Sequence, residues 1–133
     1  MAEGWLRQYA ETWGLAADIH SAGTEATRVK PEATEVMREI GIDLSQHHSK
    51  TLWDVTDPWN FDYVLTVCDA ANETCPAYPA STTRLHVGFR DPSGSGLETW
   101  RTVRDEIGST CESLIKLIAA GKPVMENDLQ LPD

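Results

Sequence analysis

Tyr63-Val64-Leu65-Thr66-Val67-Cys68-Asp69-Ala70-Ala71-Asn72-Glu73-Thr74-Cys75 is the stretch on which the reading of this chain turns. Residues 62 to 68 are rich in β-branched and apolar side chains, which suits a strand buried in a parallel sheet. Asn60-Phe61-Asp62 introduces the strand, and a cysteine ends it. Open parallel sheets bind their ligands outside the carboxyl ends of the strands, so Cys68 stands where chemistry is placed. Cys75 follows across a polar stretch, directly before Pro76, and no periodic pattern asks for its burial. From residue type and position alone, the two thiols could react with each other, hold a metal, or pack as ordinary core cysteines. If residues 69 to 75 were helical, the two Cα atoms would be about 10 Å apart at ~1.5 Å per residue. A disulfide tolerates at most ~7 Å, so a bond between them requires that segment to unwind.

The elements around this strand alternate in type. Residues 1 to 13 place Trp5, Leu6, Tyr9 and Trp13 at helical spacing with Glu3, Arg7 and Glu11 opposite, and Gly14 stops the pattern. This helix starts at Met1, with no Ser, Thr, Asp or Asn ahead of it to cap its free N–H groups. Residues 16 to 22, closed by Gly23, read as a short strand. Pro31 opens a second helix with Ala33, Val36, Met37 and Ile40 on its apolar face and Gly41 as C-cap, before a polar loop with His47 and His48. Leu52, Trp53 and Val55 fit a short helix ahead of Asp57-Pro58.

After the organising strand comes a Pro-rich loop and a further strand, Arg84 to Phe89; Asp91 to Gly96 is a turn. Residues 97 to 119 form the longest helix, with Leu97, Trp100, Val103, Ile107, Cys111, Leu114, Leu117 and Ile118 in steps of three and four. Gly121 and Pro123 end it. Residues 1 to 121 therefore read as one α/β domain, a parallel sheet with helices on both faces, followed by an acidic tail over 122 to 133 whose order the sequence does not decide. Such a domain ordinarily opens on a strand, and this chain opens on a helix, which leads to the expectation that an initial strand is absent.

The 133 residues and 41% hydrophobic content suffice for one core of ordinary size. Eleven Lys and Arg against twenty-one Asp and Glu give a formal charge of -10, which disfavours nucleic acid and anionic membranes as partners. No apolar run approaches the ~20 residues of a membrane span, and the N-terminus lacks signal-peptide order, so a cytoplasmic protein is expected. Three cysteines match no secreted disulfide framework.

Asp91, in Gly88-Phe89-Arg90-Asp91-Pro92, is a second candidate site residue. A carboxyl group at the mouth of a strand suits donation of a proton to a leaving oxygen, and an Asp before Pro equally suits a plain turn. A zinc site lacks support, because His47 and His48 are adjacent and His20 and His86 fall in the expected strands, leaving no second ligand pair at the usual spacing. No metal site is assigned. His86 is expected to pack at its strand, and Cys111, within an apolar helical stripe, to be core.

Taken in order, Met-Ala-Glu-Gly-Trp-Leu-Arg (1 to 7), Ser-Ala-Gly-Thr-Glu (21 to 25), Val-Lys-Pro (29 to 31), Val-Met-Arg-Glu-Ile-Gly-Ile-Asp-Leu-Ser (36 to 45), Phe-Asp-Tyr-Val-Leu-Thr-Val-Cys-Asp (61 to 69), Cys-Pro (75 to 76), Gly-Phe-Arg-Asp-Pro (88 to 92) and Val-Arg-Asp-Glu-Ile (103 to 107) follow one another. This order resembles the thioredoxin-coupled arsenate reductases built on the low-molecular-weight tyrosine phosphatase fold. The likeness runs from residue 1 to about residue 118. The cysteine pair is its most discriminating part, since phosphatases of that fold generally lack it.

The resemblance implies a relay of three thiols. A nucleophilic cysteine in a Cys-x5-Arg loop attacks arsenate, Cys68 attacks the thiol–arsenic adduct and releases arsenite, and Cys75 resolves the disulfide. The resulting Cys68–Cys75 bond is reduced by thioredoxin, an external reductant, with no bound cofactor. Asp91 matches the acid that protonates the leaving oxygen. Val87 stands where these reductases often carry tryptophan.

One departure is expected to matter. In the family, a strand and the Cys-x5-Arg loop come directly before the Met-Ala-Glu-Gly helix, and neither is found in this sequence. Neither the nucleophile nor the oxyanion-binding loop is then assigned to any residue here, and the chain is expected to be inactive alone and, through unpaired strand edges, to be destabilised, partner-seeking or dimeric. Two alternatives stand beside the reductase: a non-enzymatic thiol module that binds arsenite or exchanges disulfides, and a phosphatase-like remnant.

Overall fold

Glycines set the ends of three helices among the described residues. The computed structural model describes residues 1–21, 30–44, 61–67 and 82–129. Helix α1 (Ala2–Thr12), helix α2 (Pro31–Arg38) and the long helix α3 (Leu97–Ala119) all finish in one hydrogen-bonded motif. At the end of α2, Gly41 N–H donates to the Arg38 carbonyl at 3.0 Å and Ile42 N–H to the Met37 carbonyl at 3.0 Å. The crossing of these two bonds requires a left-handed residue between them, and Gly41 has φ 84°. Gly14 and Gly121 hold the same place after α1 and α3. A short helix α4 (Glu126–Leu129) follows.

Two strands, β1 (Tyr63–Thr66) and β2 (Thr83–His86), pair in parallel with Tyr63 opposite Thr83 and Thr66 opposite His86. The sheet among the described residues is thus parallel, as read from the sequence, and it belongs to an α/β fold. The expected strand at 16 to 22 does not form over its described part. Residues 16–21 are irregular, and the Ile19 carbonyl accepts from the Arg7 guanidinium instead of from a ladder. A strand exists only through a paired neighbour, and among the described residues nothing pairs with this segment.

Three apolar clusters carry the packing. Ala33, Val36 and Met37 of α2 join Ile42, Leu44 and Trp100. Leu85 and Val87 meet Leu114, Val124 and Leu129 beneath the sheet. Val103, Ile107 and Cys111 of α3 receive Trp5, Leu6 and Tyr9 of α1. Cys111 is core, as its place in the apolar stripe predicts, with 1% of its surface exposed.

Three expectations of burial change here. Trp13 is 48% exposed: it sits just past the end of α1, where it turns outward to lie 5.5 Å from the Lys116 ammonium. Ile40 and Leu97, at the open ends of α2 and α3, are also exposed. The segment after residue 121 is not a loose tail over its described length. Val124 and Leu129 are buried, and the Thr110 hydroxyl donates to the Leu129 carbonyl at 3.1 Å. The expected short helix over 51 to 59, His47, His48 and residues 130 to 133 lie outside the described residues. Among the described residues no helix is long and apolar enough to cross a membrane.

Candidate active site at the strand ends

The parallel register brings Thr66 and His86 side by side at the carboxyl ends of β1 and β2. Thr66 is buried, and its hydroxyl lies 2.7 Å from His86 Nδ1 and 3.4 Å from the Leu85 carbonyl oxygen. The ladder then continues past the strands. Val87 N–H donates to the Thr66 carbonyl at 3.0 Å and Phe89 N–H to the Val67 carbonyl at 2.9 Å. These bonds tie the chain entering Cys68 to the chain leading to Asp91. Cys68 and Cys75 themselves lie outside the described residues.

Asp91 is exposed, and Pro92 beside it is buried. The Asp91 carboxylate accepts the Ser93 backbone N–H at 2.9 Å. Hydrogen bonds from Ser93, helped by the positive charge of Lys30, hold its carboxyl below the usual aspartate range. In this conformation Asp91 is a carboxylate at neutral pH.

Phe89, two residues ahead of Asp91, packs on the Val103–Ile107–Cys111 cluster, and so do Met1 and Ala2 at the start of α1. Residues of the strand-end loop and of the start of α1 thus pack on the same cluster of α3. No side chain caps the first turn of α1, and Glu3 lies within it. Helix N-termini favour anions through their free N–H groups and dipole.

Cys111 lies just below, its Sγ donating weakly to the Ala2 carbonyl at 3.8 Å. Burial pushes its thiol up to about 12, so at neutral pH it is neither exposed nor a thiolate. It is unsuited to be a nucleophile. Six residues after Cys68, Cys75 and Cys111 stand Thr74, Ser81 and Leu117, so none of the three opens a Cys-x5-Arg. Among the described residues no group of His, Cys, Asp or Glu is arranged to hold a metal ion. A shallow cleft of about 190 Å³ between α1 and residues 41–43 contains none of the candidate residues.

Two features of this end of the sheet escaped the reading of the sequence. The Thr66–His86 pair depends on register, which the sequence does not state. The Ser93 contact had a local signal, a Ser two residues after an Asp, the spacing of an Asx turn.

A parallel α/β protein, with its candidate chemistry gathered where the strands end and a long helix underneath, is the class these features define. The chain belongs to the low molecular weight phosphotyrosine protein phosphatase family, a family of enzymes, which matches residues 1–124. It is similar to an arsenate reductase of Halalkalibacterium halodurans, with 44% identity over 115 residues covering 81% of this chain and 79% of that one. An arsenate reductase of Staphylococcus aureus is 40% identical over 114 residues, 85% of this chain and 83% of that one. A solved arsenate reductase in the oxidized state shares the fold with a TM-score of 0.74 and 30% identity, covering 88% of this chain and 86% of the other.

Proposed function

We propose that this chain belongs to an arsenate reductase and carries the later part of its thiol relay. The observation that carries the reading is the likeness to arsenate reductases at 44% identity, within a family match over residues 1–124 that takes in Cys68, Cys75 and Asp91.

In the proposed chemistry, a thiolate from a Cys-x5-Arg loop displaces one arsenate oxygen and forms a sulfur–arsenic bond. Asp91 gives its proton to the departing oxygen, which leaves as water. The Cys68 thiolate attacks the sulfur of that adduct. A disulfide forms, and the sulfur–arsenic pair of electrons stays on arsenic, which departs as arsenite. Cys75 attacks the disulfide, frees the first thiol and leaves Cys68 bonded to Cys75. Thioredoxin supplies two electrons and two protons to reset the pair. Two thiols are oxidised for each As(V) reduced to As(III), so the balance closes.

The carboxylate state of Asp91 fits this sequence of events. An arsenate anion beside it adds negative charge, which raises the carboxyl pKa and draws a proton onto it before the oxygen leaves. Substrate binding thus prepares the acid.

The test uses thioredoxin, thioredoxin reductase and NADPH with arsenate. The 133-residue chain is expected to give no turnover, and the same chain extended upstream by a strand and a Cys-x5-Arg loop is expected to turn over. Robust turnover by the 133 residues alone sinks this assignment of the nucleophile. Thiol titration supplies a second check: mild oxidation should remove two of three thiols and leave Cys111, and Cys68→Ser should block that loss.

A further inference from the structure

The geometry points to Ser93 as the positioning residue for Asp91, a donor built into the loop and aimed at the carboxylate that forms when the acid gives up its proton. This inference rests on the reading of Asp91 as the acid. Ser93 N–H donates to Asp91 Oδ1 at 2.9 Å. The turn that aims this N–H is closed without any help from Asp91. Ser95 N–H donates to the Pro92 carbonyl at 2.9 Å, Gly94 takes φ 82°, and the Pro92 ring is buried. The donor therefore stays aimed at the same point whatever the charge on the carboxyl.

A fixed donor acts unequally on the two forms of an acid. It bonds a carboxylate strongly and a neutral carboxyl weakly. When the O–H bond of Asp91 breaks and its proton passes to the departing oxygen, the new carboxylate meets a donor already in place. No reorganisation is needed at that moment. Solvent water then returns a proton for the next cycle, which the approach of an anionic substrate favours. Ser93 thus strengthens Asp91 as an acid. The direction of the Asp91 shift agrees, with Ser93 its first cause. Among the described residues, Lys30 at the N-terminal cap of α2 also acts on it, through its charge. If Lys30 were the main influence, the effect would be one of charge and would fade in salt. A hydrogen bond at 2.9 Å would persist.

Carboxyl-carbon NMR of the intact chain, titrated with acid, reads this directly and needs no turnover. The Asp91 midpoint is expected to rise most in Ser93→Pro, which removes the N–H. It should rise less in Ser93→Ala, which keeps the N–H and loses the hydroxyl, and least in Lys30→Met. In the unaltered chain the Ser93 amide proton should follow the Asp91 titration with the same midpoint, a readout that needs no variant. A Ser93 amide that ignores Asp91, or a larger shift in Lys30→Met than in Ser93→Pro, overturns the proposal. In the upstream-extended enzyme, Ser93→Pro should move the pH dependence of arsenate turnover in the same direction as the NMR midpoint. If the titrations behave as expected and Asp91→Asn leaves turnover intact, the acid reading fails and not the positioning.

Discussion

The indole of Trp5 lies against Gly108 of α3 and donates its Nε1–H to the Arg104 carbonyl oxygen at 2.9 Å. This contact joins the packing of Leu6 and Tyr9 in seating α1 on α3. Trp5 has little freedom to move, because its ring is stacked on Tyr9 with centroids 5.4 Å apart and planes 10° from parallel.

Gly108→Ala should therefore destabilise the chain. A Cβ at this position would stand 2.7 Å from Trp5 Cε2 and 2.8 Å from Cζ2. Overpacking of this kind costs about 1–3 kcal/mol, and the better helix propensity of Ala returns about 1 kcal/mol. The net expectation is a lower urea midpoint with an unchanged slope. A raised midpoint would mean that the indole swings aside and that the seat is soft.

Cys111 should give the chain an alkaline weakness. Its folded pKa is raised from 9.0 to about 12 by burial, so the folded state keeps a proton that the unfolded state loses. Stability from this group is complete below pH 9 and declines as the pH climbs from there toward about 12. Tyr9, whose pKa burial also raises, adds to the same trend. Cys111→Ala should be less stable at pH 7 through lost packing, yet its stability should fall less steeply with pH in that range. Equal slopes for the two proteins would show that the thiol is not shielded.

Glu39 governs the opposite limb. Arg101 Nη2 at 2.8 Å and Arg104 Nη1 at 2.9 Å donate to its carboxylate, and the Arg101 hydrogen bond is the main cause of its lowered pKa. A depressed folded pKa contributes stability above the unfolded value and loses it as the pH falls through the folded one. Glu39→Gln should be less stable than the parent at pH 7, and the gap should close as the pH drops below 4.5, the ordinary glutamate value. Because Glu39 is exposed, added salt should narrow the gap at neutral pH. A gap that persists at pH 2 would point to packing as its source.

Leu129→Ala tests the docking of α4. Leu129 is 2% exposed and packs with Leu85, Val87 and Leu114 under the sheet. Truncating a fully buried leucine costs about 2–5 kcal/mol. A change below about 0.5 kcal/mol, the size of an ordinary surface substitution, would mean that α4 leaves the core readily.

The sequence by itself determined whatever depends on near neighbours. The apolar spacing from Leu97 to Ile118 and the glycines at 14, 41 and 121 are local signals, and the helices start and stop where they say. The alternation of helices with short apolar strands was enough for the parallel α/β fold, and the spacing of the motifs from Met1 to Ile107 was enough for the family. Tertiary structure alone decided the rest, because burial and pairing belong to two partners at once. Residues 16–21 carry strand-like side chains and form no strand, since a ladder needs a neighbour. Trp13 and Leu97 are as apolar as Trp5 and Leu114, but they stand at helix ends and stay partly exposed. Leu129, in a stretch that reads as a polar tail, is buried because α3 passes alongside it. At the candidate site, Asp91 and the Ser93 donor two residues away were legible as local spacing. The Lys30 charge that also acts on Asp91 was not, because only folding brings the cap of α2 near it.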